Sequence, residues 1–118
     1  MSDNDTQKEI VNRFLGNFKN HLSKKDLAFM MRDKNEQTLT EMGFTLLDVR
    51  AELLRLEYRD YISGPEPDID PKRKGDVWEF GKNVNHEDIY IKIKLAPNNR
   101  PVCLSFHYPE RDLKYFFN

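Results

Sequence analysis

Apolar residues recur at intervals of three and four near the start of the chain: Ile10, Phe14, Leu15, Phe18 and Leu22. Side chains so spaced share one side of a 3.6-residue repeat, so the pattern predicts an amphipathic helix from Thr6 with a single buried stripe. Residues 1–5 are polar and acidic and read as a disordered start. The short apolar run Leu27-Ala-Phe-Met-Met31 reads as a buried strand. Asn35 to Met42 follows as a short helix, which Gly43 ends by accepting a left-handed conformation. Thr45 then caps another helix. Asp48 lies in its favoured first turn, and Val49, Leu53, Leu54 and Leu56 form its apolar side.

Residues 63–76 break the helical pattern. Three prolines, two glycines and a change of charge sign within Ser63–Gly75 predict a long loop. Three segments rich in strand formers come next, Val77–Lys82, Ile89–Leu95 and Val102–His107, separated by polar turns. They predict an antiparallel meander. The fold class is α+β, with N-terminal helices packed on one face of a C-terminal antiparallel sheet, in a single domain over residues 1–118.

Strict alternation sorts the strands into two faces. Ile89, Ile91, Ile93, Leu95, Val102, Leu104, Phe106, Trp78 and Phe80 fall on the face expected to meet the helices. The opposite face is expected to carry Glu79, Tyr90, Lys92, Lys94, Cys103, Ser105 and His107. That second set holds an acid, an imidazole, a phenol and two ammonium groups on neighbouring strands.

Charge narrows the reading. The 20 acidic and 19 basic side chains nearly cancel over the 118 residues, which excludes an indiscriminately basic nucleic-acid binder. The balance is uneven, however. Residues 1–71 carry 10 basic and 14 acidic side chains, and residues 72–118 carry 9 and 6, so the positive surplus accompanies the strands. A single cysteine, Cys103, allows no internal disulfide, and a reducing cytoplasm is the expected setting. No apolar run approaches the roughly 18 residues of a membrane span, so no membrane partner is expected. Neither metal nor cofactor is expected, because nucleotide-binding glycine loops, zinc-ligand spacings and the G-x-S-x-G motif are all missing.

The polar face suits cleavage of RNA by its own 2′-hydroxyl. That reaction needs a proton acceptor, a proton donor and positive charge at the phosphate, each positioned acid or base contributing roughly 10² to 10⁴-fold. Glu79 and His107 are the candidate base and acid, with His107 the natural acid because an imidazole titrates near neutrality. Lys82, Lys92 and Lys94 are candidates for holding phosphates, and Tyr90 for orienting a phosphate or stacking on a base. Trp78 and Phe80 read as core, and Lys72-Arg73-Lys74 as a solvated loop. The rival reading is a non-catalytic module that docks RNA or an acidic protein on the same basic face.

Several segments carry a resemblance: Leu56-Glu-Tyr with Asp60-Tyr61 and Gly64-Pro65, then Asp76-Val-Trp-Glu-Phe-Gly-Lys82, Ile89-Tyr-Ile-Lys-Ile93 and Ser105-Phe-His107. In this order the chain resembles the MqsR-like toxins of bacterial type II toxin–antitoxin systems, relatives of the RelE-type messenger-RNA interferases. The resemblance implies a RelE-like fold, metal-independent endoribonuclease activity and a cognate antitoxin protein as partner. It also implies messenger RNA as substrate, with the ribosome as a candidate setting, and no direct binding of DNA. Position by position it marks Glu79, Tyr90 and His107 as catalytic, with Tyr61 and Ser105 joining the lysines at the substrate.

Overall fold

A computed structural model describes residues 3–70 and 72–117. Helix α1 spans Asp3–Leu22, with Asp3 and Asp5 at its dipole-favoured N-terminus and Val11, Leu15, Phe18 and Leu22 buried along one stripe. Residues 3–5 are thus helical rather than a disordered start, and residues 1 and 2 lie outside the described residues. Val11 takes the inward place expected for Ile10, which sits at the stripe's exposed edge. Helix α2 covers Asp33–Met42 and ends at Gly43, whose φ of 68° is the left-handed conformation expected there. Helix α3, Leu46–Leu54, begins with the Thr45 cap. Thr45 accepts from the Asp48 N–H, and the Asp48 carboxylate accepts from the Thr45 N–H at 2.8 Å.

The sheet has five strands: β1 (Ala28–Phe29), β2 (Tyr61–Pro67), β3 (Asp76–Val84), β4 (Glu87–Leu95) and β5 (Pro101–His107). Their order is β1-β5-β4-β3-β2, antiparallel except for the β1–β5 pair, which makes the sheet mixed. The expected meander is β3-β4-β5. Strand β2 occupies the first part of the expected loop. It pairs with β3 through two register shifts and places Pro65 and Pro67 at the sheet's edge, where a missing N–H costs no ladder bond.

The helices cover one face of the sheet. Phe14 stacks on Trp78 with ring centroids 4.3 Å apart, and Phe18, Phe80, Phe106 and the three isoleucines of β4 complete a single core. Among the described residues no helix is long and apolar enough to cross a membrane.

Within the β3-β4-β5 meander, alternation fails at one place. Lys92 faces Ser105 and Ile93 faces Cys103, so Leu104 is an extra residue in β5, a bulge. Cys103 therefore points into the core and is fully buried, correcting its expected place on the polar face. Val102 faces Lys94 on the outer side, correcting its expected place in the core. Beyond the bulge Phe106 is inward, and Ser105 and His107 are outward as expected.

The loop after β2 wraps over the far end of the outer face. There the Lys94 ammonium donates to Asp68 Oδ2 at 2.9 Å and to the Lys74 carbonyl at 3.1 Å. Only 5% of the Lys94 side chain and 3% of the Asp68 side chain remain exposed. Burial works against the Asp68 charge, but donation from Lys94 and from the Asp70 N–H, with Arg73 nearby, holds its carboxyl below the usual range. This contribution is present above the unfolded value of 3.8 and is lost as acid protonates Asp68. Asp68→Ala leaves a buried ammonium unpaired and is expected to lower folding stability by about 3 kcal/mol. Denaturant titration of that variant, beside the double variant Asp68→Ala/Lys94→Met, measures it, and the double variant should regain most of the loss.

Candidate functional site

Two adjacent rows across β3, β4 and β5 build the centre of the outer face. One row is Glu79, Lys92 and Ser105, and the next is Gly81, Tyr90 and His107. Cross-strand neighbours lie about 5 Å apart at Cβ, close enough for these side chains to converge. The Tyr90 and His107 rings are 5.4 Å apart, inclined at 41°. The bulge makes this row possible by returning His107 to the side on which Tyr90 stands.

Above the rows, the segment after β5 forms a strap. The side chains of Leu113 and Tyr115 lie over Gly81, where an added Cβ would come within 2.8 Å and 3.0 Å of them. Glycine at 81 leaves the space that seats the strap. At the strap's end the Phe116 N–H donates to the Tyr61 carbonyl at 3.0 Å, fastening it to β2. Between sheet and strap lies an open groove of about 690 Å³, lined by Ile62, Glu79, Tyr90, Lys92, Ser105 and His107 from the sheet and by residues 109–114 from the strap. Arg111 and Lys114 thus join the groove, and Lys34 at the start of α2 pairs with Glu110 on its rim.

The imidazole is held in one orientation. His107 Nδ1 lies 2.8 Å from the Tyr108 carbonyl. A carbonyl only accepts, so Nδ1 carries the proton and Nε2 keeps its lone pair. Partial burial lowers the pKa of His107, the Tyr108 carbonyl partly offsets this, and the positive charges of Lys34, Arg32 and Lys92 lower it further. The ring is therefore mainly neutral at pH 7. Tyr90 is pushed the other way. Burial and the Glu79 carboxylate, as charge and as hydrogen-bond acceptor, keep the phenol protonated far above neutrality.

Of the residues expected at the site, Glu79, Tyr90, Lys92, Ser105 and His107 share the groove. Three others do not. Lys94 is enclosed by the loop with Asp68. Lys82 has the parity of Trp78 and Phe80, faces the helices, and lies 3.4 Å from the Glu52 carboxylate. Tyr61 is buried in the core against Phe80, its hydroxyl donating to the Gly64 carbonyl at 2.6 Å and accepting from Gln7 at 2.9 Å. The strap cations were not expected. Their only sequence signal is the basic surplus of the C-terminal part, which does not show that the chain doubles back across the sheet.

Among the described residues no group of three or more His, Cys, Asp or Glu side chains is gathered to hold a metal ion. Comparison with protein-family models, curated proteins and solved structures finds no match to this chain. Its functional reading therefore rests on the groove.

Because flexible side-chain ends meet the added methyl, Gly81→Ala is expected to displace the strap while costing the fold only about 1 kcal/mol. Hydrogen exchange at residues 113–116 should speed up in this variant, with the protection of β4 unchanged.

Proposed function

We propose that this protein is an endoribonuclease of the RelE-type messenger-RNA interferase kind, the toxin of a type II toxin–antitoxin pair, neutralised by a cognate antitoxin protein. The observation that carries this reading is the His107 imidazole, its Nδ1 held by the Tyr108 carbonyl, with its ring 5.4 Å from that of Tyr90 in an open groove where Arg111 and Lys114 stand beside Glu110 and Asp112. This set matches the demands of phosphodiester cleavage by an internal hydroxyl, and an open groove admits a strand rather than enclosing a small molecule.

In the proposed reaction His107 Nε2 takes the proton of the 2′-hydroxyl, reversing the role of acid expected for it. The 2′-oxygen bonds to phosphorus as the bond from phosphorus to the 5′-oxygen breaks. The departing oxygen takes a proton from the Tyr90 phenol, whose O–H turns from Glu79 to meet it; water then reprotonates the phenolate, and the hydroxide so formed removes the proton held on His107. Products are a 2′,3′-cyclic phosphate and a 5′-hydroxyl, and no metal takes part. Glu79 orients Tyr90, while Lys92 and Arg111 face the charge that gathers on the phosphate. Ser105, at the floor of the groove, is a hydrogen-bonding partner for the substrate.

Cleavage of a single-stranded RNA by the purified chain should persist in EDTA. Its rate should rise with pH through a midpoint below 6.5, as His107 loses its proton, and then stay level through pH 7 to 8. His107→Ala should reduce cleavage by at least about 100-fold. Binding that falls with salt, without any cut product, would instead identify a docking module, and loss of cutting in EDTA would refute the metal-free step.

A further inference from the structure

Strand β5 lies next to an unusually short neighbour. β1 pairs with it only at Val102 and Cys103, and the Met30 N–H reaches the Cys103 carbonyl at 3.0 Å. Beyond that point the carbonyl of Leu104 and the N–H of Phe106 face away from β4 with no strand to meet them. Both are inside the protein, where an unpaired backbone group costs about 1–3 kcal/mol.

Asn35, in the first turn of α2, fills this place. It is fully buried. Its Nδ2 donates to the Leu104 carbonyl at 3.0 Å and to the Met30 carbonyl at 2.8 Å, and its Oδ1 accepts from the Phe106 N–H at 3.0 Å. The reverse amide orientation would set oxygen against two carbonyls, so the partners fix it. One turn later Thr38 Oγ1 accepts from the Tyr108 N–H at 3.4 Å. The two side chains thus stand in for a missing strand along the bulge and the residues that follow it.

These contacts bracket the candidate proton acceptor. Leu104 is the inserted residue that turns His107 to the Tyr90 side, Phe106 precedes His107, and the Tyr108 carbonyl receives the His107 Nδ1 proton. We propose that Asn35, assisted by Thr38, is a positioning residue for His107: it holds the bulge and the Tyr108 carbonyl so that Nε2 faces the groove beside Tyr90. This inference rests on His107 as the proton acceptor of the reading above. Its effect on the ring is nevertheless measurable without substrate.

The test is long-range ¹H–¹⁵N correlation of the His107 ring in the full chain, in parallel with cleavage kinetics on a single-stranded RNA oligonucleotide. The wild type should show the Nδ1–H tautomer. Asn35→Ala should show a mixture of tautomers, with kcat lowered by about 100-fold and KM little changed, as expected for a reacting group displaced by about an ångström. Thr38→Val should move both readouts the same way by less, and Thr38→Ser, which keeps the hydroxyl, should restore them. A folded Asn35→Ala that retains the wild-type ring spectrum overturns the proposal. If Asn35→Ala does not fold, an unchanged ring spectrum in Thr38→Val overturns it. A wild-type chain that cuts no RNA, but whose ring spectrum shifts in these variants, supports the positioning role and removes the nuclease reading.

Discussion

A two-residue repeat has no tolerance for an odd insertion: one extra residue sends everything after it to the opposite side. Leu104 is that residue here. It lets Cys103 and Phe106, three apart, both face the helices, and it brings Ser105 and His107 into line with Lys92 and Tyr90. A bulge leaves backbone groups without regular partners, so it persists only where something else satisfies them. The buried amide of Asn35 supplies those bonds from a helix, and the position of the imidazole follows from that local arrangement.

The two faces of the sheet then divide the labour. Helix α1 seals one of them with an aromatic stack against Trp78, and the rigidity of that packing fixes the strand rows on the other. Over the outer face lie two irregular segments. The loop after β2 covers the Lys94 end through the Asp68 pair, and the strap covers the Gly81 end. The groove lies between sheet and strap, with polar side chains beneath it and Arg111 and Lys114 beside Glu110 and Asp112 along its margin.

Much of this architecture was legible in local signals. The α1 helix, the Thr45–Asp48 cap, the Gly43 stop and the meander all arise from short-range chemistry, and the structure has them where the pattern puts them, with Val11 in place of Ile10 on the α1 stripe. The convergence of Glu79, Tyr90 and Lys92 also followed from alternation, whereas Ser105 and His107 join them because the bulge at Leu104 offsets the inward turn of Cys103. What could not be read depends on contacts between distant parts of the chain. Strand β2 is hidden by its prolines, which mark a loop unless the residues are known to lie at an edge. Lys82 alternates with Trp78 and Phe80 and belongs on their face, a parity that phosphate chemistry should not have overridden. Nothing near Lys94 announces that Asp68 will enclose it, and a polar Asn35 on a polar helix gives no hint that it completes a strand.

The inward turn of Cys103 has a consequence of its own. The only thiol of the chain is fully buried, donates weakly to the Ser105 carbonyl at 3.4 Å, and is pushed far up the pH scale by its apolar surroundings. A thiol in that state is a poor nucleophile and is shielded from oxidants. Alkylating reagents can reach it only when the neighbourhood of β1, α2 and β5 comes apart, so its labelling rate is a built-in gauge of how often that corner of the molecule breathes.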